Sequence, residues 1–232
     1  SQHKRYDFGA FLSFLKIKTI PQLFWSAPVP LSMRPPFTSC AMLIFGLIIF
    51  GFGETLLIAS GSGVSPWTVF AQGISRLTGW SIGLTTFVVS CAVLLLWIPL
   101  RQMPGIGTIL NIIIVASVMD LALPHIPVFE EPVFKIAEGA LGVFTTGFGG
   151  AIYLIANLGP GPRDGLMTGA QRITGLPIVW VRSAIEILVV TIGWLLGGIV
   201  GIGTLLFAFG IGPSIALSMA ILISLFGKKN SH

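Results

Sequence analysis

Six stretches of the chain run for about twenty residues with few or no charged side chains, while glycines, prolines and polar residues collect between them. A helix crossing a hydrocarbon core of about 30 Å needs about 20 mainly apolar residues. The pattern predicts spanning helices at Thr38–Ser60, Trp80–Leu100, Gly105–Leu123, Ala140–Leu158, Pro177–Gly198 and Gly203–Phe226. Glu54 interrupts the first, Asp120 lies near the end of the third, and the fifth carries Arg182 and Glu186. Ahead of them, Phe8 to Trp25 is amphipathic, carries Lys16 and Lys18, and breaks at Pro21. It reads as an interfacial helix on the inner leaflet, with a disordered arm as the alternative.

The chain also repeats itself. At an offset of 96 residues with no gap, Gly51-Phe52-Gly53 falls on Gly147-Phe148-Gly149. Gly63 then meets Gly159, Pro66 meets Pro162, Gly73 meets Gly169, Arg76 meets Arg172, and Thr78-Gly79 meets Thr174-Gly175. The same offset places Gly105-Ile106-Gly107-Thr108 on Gly201-Ile202-Gly203-Thr204. Apolar composition makes Leu-on-Leu matches common, but not matches of Gly, Pro and Arg, so the halves descend from one unit. The expected organisation is a cytoplasmic arm over 1–37, repeat 1 over 38–123 and repeat 2 over 134–227. Three crossings is an odd number, so the second copy must enter the membrane upside down. The expected fold is therefore all-α, with six transmembrane helices as two inverted three-helix repeats, and residues 41–123 should superpose on 137–219 by a half-turn about an axis in the membrane plane.

Between the first and second helix of each unit lie Gly61–Gly79 and Gly159–Gly175. Each has Gly and Pro ahead of a stretch that can form a short helix ending at Thr-Gly, consistent with Pro at helix starts and Gly at helix ends. These helices are expected to be either interfacial or re-entrant. In the second case their free N–H groups and positive dipole ends would face a cavity.

Composition rules out a water-exposed surface: 54% of the 232 residues are hydrophobic and 9% are charged, against roughly a quarter charged in soluble domains. The net charge of +5 raises a nucleic-acid reading, but no basic stripe with interleaved aromatics supports one. It is better read as loop charge. With the N-terminus inside, the inner face holds 11 basic residues, counting Arg182 at its helix end, and the outer face holds Arg76 and Lys135. The positive-inside rule then places both termini in the cytoplasm, and a reporter fused at Lys229 should give a cytoplasmic signal. A periplasmic signal from a functional fusion would end that assignment. Cys40 and Cys91 lie in apolar stretches without metal-ligand or redox spacing. No zinc-protease, nucleophile-elbow or paired-carboxylate motif occurs, so neither a cofactor nor an enzymatic activity is expected.

Charges at membrane depth cost several kcal/mol unless paired or hydrated and point to function. Glu54 is a candidate contact for substrate or proton; the alternative is a carboxyl satisfied by Arg182 or by a Ser or Thr. Its repeat mate is Gly150, so the shared scaffold does not need the charge. Arg182 and Glu186, four residues apart, can pair on one helix face. Arg163 and Asp164 are either a substrate clamp or a capping pair, and Asp120 is expected to be interfacial. The Gly51-Phe52-Gly53 segment and its copy favour close helix contact.

The segment GFGETLLIASGSGVSPWTVFAQGISRLTG, followed by LGPGPRDGLMTGAQRITG, resembles the bacterial YczE/YitT-like integral membrane proteins. In that family a Gly-x-Gly-x-x-Pro-Trp block follows the first helix and a Gly-Pro-Arg-Asp-Gly block lies in the second half. Here these are Gly61–Trp67 and Gly161–Gly165, and the resemblance spans residues 41–225. It implies a bacterial inner-membrane location and adds Trp67 to the candidate site. Where the family often carries an acidic residue soon after the Trp, this chain has Thr68. Two functions stay open: a small transporter of a polar or anionic metabolite bound between the repeats, or a non-transporting subunit or assembly factor of a membrane complex. The expected partners are membrane lipids, a small-molecule substrate, and another copy or another membrane chain.

Overall fold

The computed structural model describes residues 20–227. Among them it has helices α1 (Phe37–Ser60), α2 (Pro66–Thr78), α3 (Ile82–Leu100), α4 (Ile106–Ala122), α5 (Pro132–Ala156), α6 (Pro162–Thr174), α7 (Ile178–Leu195) and α8 (Ile202–Phe226), with a 3₁₀ turn at Leu123–His125 after α4. Six of these, α1, α3, α4, α5, α7 and α8, are long and apolar enough to cross a membrane. The protein is thus an all-helical, multi-pass membrane protein. The two remaining helices, α2 and α6, are 13 residues each.

The offset of 96 carries through to the local backbone. Pro66–Thr78 maps onto Pro162–Thr174 residue for residue. Left-handed caps recur at Gly61 and Asn157, and again at Gly79 and Gly175. The equivalent helices α1 and α5 form the centre and run antiparallel: Gly46 lies against Tyr153, Gly53 against Thr146, and Gly142 against Leu57. Glycines let the two backbones touch, which is how helices associate where lipid offers no hydrophobic driving force. α4 packs on α1 as α8 packs on α5. The correspondence breaks once: α3 packs along α4, whereas α7 has no comparable contact with α8.

Several boundaries differ from expectation. α5 begins at Pro132, not Ala140, because Glu138 lies inside the helix and is buried; the charge hid the helix start from a hydropathy reading. The fifth span ends at Leu195, where the chain turns through Gly197 in the left-handed region. Asp120 is not merely interfacial: its carboxylate accepts from the Ser81 hydroxyl at 2.6 Å and the Gly83 N–H at 2.7 Å, capping α3 from the end of α4. The expected arm helix lies outside the described residues up to position 19. Its remainder, Ile20–Trp25, is not helical. There Trp25 is wholly buried and its indole N–H donates to the Ile152 carbonyl, while the Ser26 hydroxyl donates to Ile155 and the Ala27 N–H to Ala156. The segment caps the last carbonyls of α5, which a helix terminus otherwise leaves without partners.

Candidate functional site

The two short helices each leave their own repeat and settle on the other. After α1 the chain turns at Gly63 (φ 116°), whose missing Cβ makes room for Gly201 and Thr204 at the start of α8. Gly159 (φ 113°) packs likewise on Gly105 and Thr108 at the start of α4. The Gly203 N–H donates to the Ser62 carbonyl at 2.8 Å, and the Gly107 N–H to Leu158 at 2.7 Å. The unpaired first-turn N–H groups of one repeat therefore satisfy the broken backbone of the other. α2 then lies against α7 and α6 against α3. At their far ends Arg172 donates to the carbonyls of Leu100 and Arg101, and Arg76 covers Gly197.

The close approaches also exchange size. A Cβ on Gly165 of α6 would run into the Trp97 ring, while at the offset equivalents the backbone of Val69 and Phe70 in α2 lies directly against Gly193 of α7. The Trp97 indole N–H donates to the Pro162 carbonyl at 2.9 Å and fixes where α6 begins. Trp97→Phe keeps an aromatic side chain but deletes that bond and the part of the indole that packs on Gly165. A buried hydrogen bond with an orphaned acceptor costs about 1–3 kcal/mol, so the melting temperature should fall by several degrees. An unchanged melt would show that the bond does not position α6.

The first turns of α2 and α6 are buried: Ser65, Pro66, Trp67, Thr68 and Val69 in one, Gly161 and Pro162 in the other. Only their C-terminal ends emerge, at exposed Leu77 and Ile173. This is the geometry of helices dipping into the bundle. Their N-termini reach one cavity of about 90 Å³. All six candidate residues, Glu54, Trp67, Arg163, Asp164, Arg182 and Glu186, line it.

Glu54 is 1% exposed. Its Oε2 accepts from the hydroxyls of Ser65 and Thr68, each at 2.8 Å, while Oε1 has no partner among the described residues. The Arg163 guanidinium sits 5.6 Å from the centre of the Trp67 ring, within cation–π range. Asp164 accepts from the Tyr153 hydroxyl at 3.0 Å. Arg182 Nε meets Glu186 Oε1 at 3.0 Å, the expected pair along α7.

The lining is symmetric in position and asymmetric in chemistry. At the 96-residue offset, Glu54 pairs with Gly150, Trp67 with Arg163, Thr86 with Arg182, and Ser90 with Glu186, and every one of these residues faces the cavity. Each charged side chain stands opposite an uncharged mate. Sequence reasoning found the charges, because ionised groups stand out in apolar helices. It missed Tyr153, Asn111, Thr86 and Ser90, also in the lining, since neutral polar side chains in spanning helices carry no such signal. The repeat register could have found Thr86 and Ser90 as the mates of Arg182 and Glu186.

No solved structure matches this chain. An uncharacterized protein of Haemophilus influenzae is 40% identical over 214 residues, covering 90% of this chain and 95% of that protein. The uncharacterized membrane protein YczE of Bacillus subtilis is 31% identical over 176 residues, 75% of this chain and 82% of its own length. The uncharacterized protein YyaS of the same organism is 27% identical over 165 residues, 69% of this chain and 82% of its own. A sequence profile described as a family of unknown function, DUF6198, matches residues 37–220. With the repeat, its two dipping helices and these relatives in agreement, the chain belongs to that family of YczE-like membrane proteins.

Proposed function

We propose that the protein is a small carrier of the bacterial inner membrane that binds a small polar or anionic metabolite between two inverted repeats and moves it without chemistry on the ligand. One observation carries this reading: the charged side chains of α1, α6 and α7 converge on a single cavity at the ends of two helices broken within the bundle. Irregular backbone at depth and helix N-termini around a central site are features of carriers built from inverted repeats. The antiparallel run of α1 and α5 supports the inversion. With Arg163 and Arg182 assigned to the cavity, the remaining basic residues still divide nine to two, which supports cytoplasmic termini.

The asymmetry between the halves supports a moving part. Asp120 ties α3 to α4, and its repeat mate is Ala216, so no carboxylate at the equivalent position ties α7 to α8. An alternating carrier would close one pair while opening the other. Purified protein should be screened by thermal stabilisation against charged and uncharged small metabolites, and each stabilising compound tested for uptake into proteoliposomes. Stabilisation together with uptake supports the carrier. Stabilisation without uptake in either direction overturns it in favour of the second reading, a ligand-holding subunit of a membrane complex.

A further inference from the structure

Two opposite charges in the cavity have no direct ion-pair partner among the described residues. Glu54 is buried and lends only Oε2 to its neighbours; Oε1 meets no donor among the described residues. Arg163 lies over the Trp67 face, yet no carboxylate among the described residues comes within 4.0 Å of it, whereas Arg182 is engaged by Glu186. Glu54 and Arg163 therefore line the same cavity without a direct salt bridge between them. A charge taken out of water without a partner is costly, so each group marks where a ligand supplies the missing one.

Resting on the carrier reading, we infer that the ligand is a small zwitterion with an apolar body. Its ammonium meets Glu54 Oε1, and its anionic group meets Arg163 between the N-termini of α2 and α6. The count of charges favours this over either half alone. The cavity holds three carboxylates, Glu54, Asp164 and Glu186, against two guanidiniums, Arg163 and Arg182. An anion alone meets that excess of negative charge, and a cation alone meets Arg163 and two positive helix ends. A ligand bearing one charge of each sign matches both. Phe50, Phe207, Ile211 and Met167 face the same space and suit an apolar body between the charges. The one-sided chemistry of the lining orients such a ligand, because each pole finds its partner in only one of the two repeats.

The test uses the full-length protein in detergent and three matched series: amino acids graded from glycine to tryptophan together with taurine, the amines lacking their acid group, and the acids lacking their amine. At least one zwitterion should raise the melting temperature while its matched amine and acid at equal concentration do not. Losing one partner of a buried charge pair weakens binding by about thirtyfold or more, so Glu54→Gln and Arg163→Gln should each weaken the zwitterion by that factor. The halves should then cross over: Glu54→Gln should gain a response to the matched acid, and Arg163→Gln to the matched amine, neither of which stabilises the parent. A merely structural role for either residue would not produce that exchange. Stabilisation by acids or amines alone overturns the zwitterion and leaves the carrier standing. Silence from all three series, with some uncharged metabolite stabilising the protein, does the same. Stabilisation by nothing at all overturns both.

Discussion

Glu54→Gln should be produced, inserted and at least as heat-stable as the parent, yet fail to take up the ligand. The amide keeps the length of the side chain and an oxygen that can accept from Ser65 and Thr68, as Oε2 does at 2.8 Å. It also removes a charge buried to 1% exposure, which eases the burial cost. What it cannot replace is the unpartnered Oε1 as an anionic contact for a proton, a cation or an ammonium group. Loss of such a contact costs about 2–5 kcal/mol, so ligand-induced stabilisation should weaken by about thirtyfold or more and uptake at limiting ligand should collapse. Unchanged uptake and stabilisation would reduce Glu54 to a carboxyl held by two hydroxyls for structure alone. Gly150, its repeat mate, makes that bland outcome harder to expect. The same scaffold position in the other half is filled without any carboxylate, and Gly150 borders the same cavity.

Much of this was legible in the sequence because lipid makes strong demands. A span must be long and apolar, so hydropathy located all six to within a few residues except where Glu138 concealed the start of α5. The repeat was legible because glycines and prolines at breaks and contacts resist drift; α2 and α6 match residue for residue at the offset read from Gly, Pro and Arg identities. The cavity charges were legible one by one, but not their convergence, which depends on α2 and α6 crossing to the opposite repeats. That crossing rests on backbone bonds such as Gly203 to Ser62 and Gly107 to Leu158, which leave no mark on residue type beyond the glycine. Thr68 shows how a familiar pattern can mislead. Where the family often has an acid, the threonine donates to Glu54, so a carboxylate reaches this region from α1 instead.

The exchange of short helices gives the two repeats a shared fate. Each broken backbone is completed by the other half, through Thr108 to the Pro160 carbonyl at 2.7 Å and Gln72 to the Ile199 N–H at 3.0 Å. Neither half could close its own break in lipid, where unsatisfied backbone groups cost several kcal/mol each. The cavity thus sits where the protein is most interdependent, with a rigid glycine seam of α1 and α5 behind it and the less closely packed α7 at its side.

That seam makes the second large prediction. A Cβ at Gly149 would run into the Phe50 backbone nitrogen and the Gly46 carbonyl, and Gly53, its mate at the 96-residue offset, meets Thr146 in the same way. Backbone cannot step aside as a side chain can, so Gly149→Val must force α1 and α5 apart along the centre of the protein. Overpacking of this kind costs about 1–3 kcal/mol and sometimes more. In a chain of this size that lowers the melting temperature by roughly 3–10 °C, and most of the monodisperse yield should go with it. Its neighbour provides the control: a Cβ at Gly150 finds nothing nearer than 3.7 Å, the side chains of Ile215 and Phe50. Gly150→Ala should therefore leave folding intact, and it should gain a few tenths of a kcal/mol or more because alanine favours the helix. The two substitutions differ by one position and should differ in outcome from loss of the protein to a slight gain. Equal tolerance of both, read from size-exclusion profiles and melts, would mean that α1 and α5 do not meet backbone to backbone.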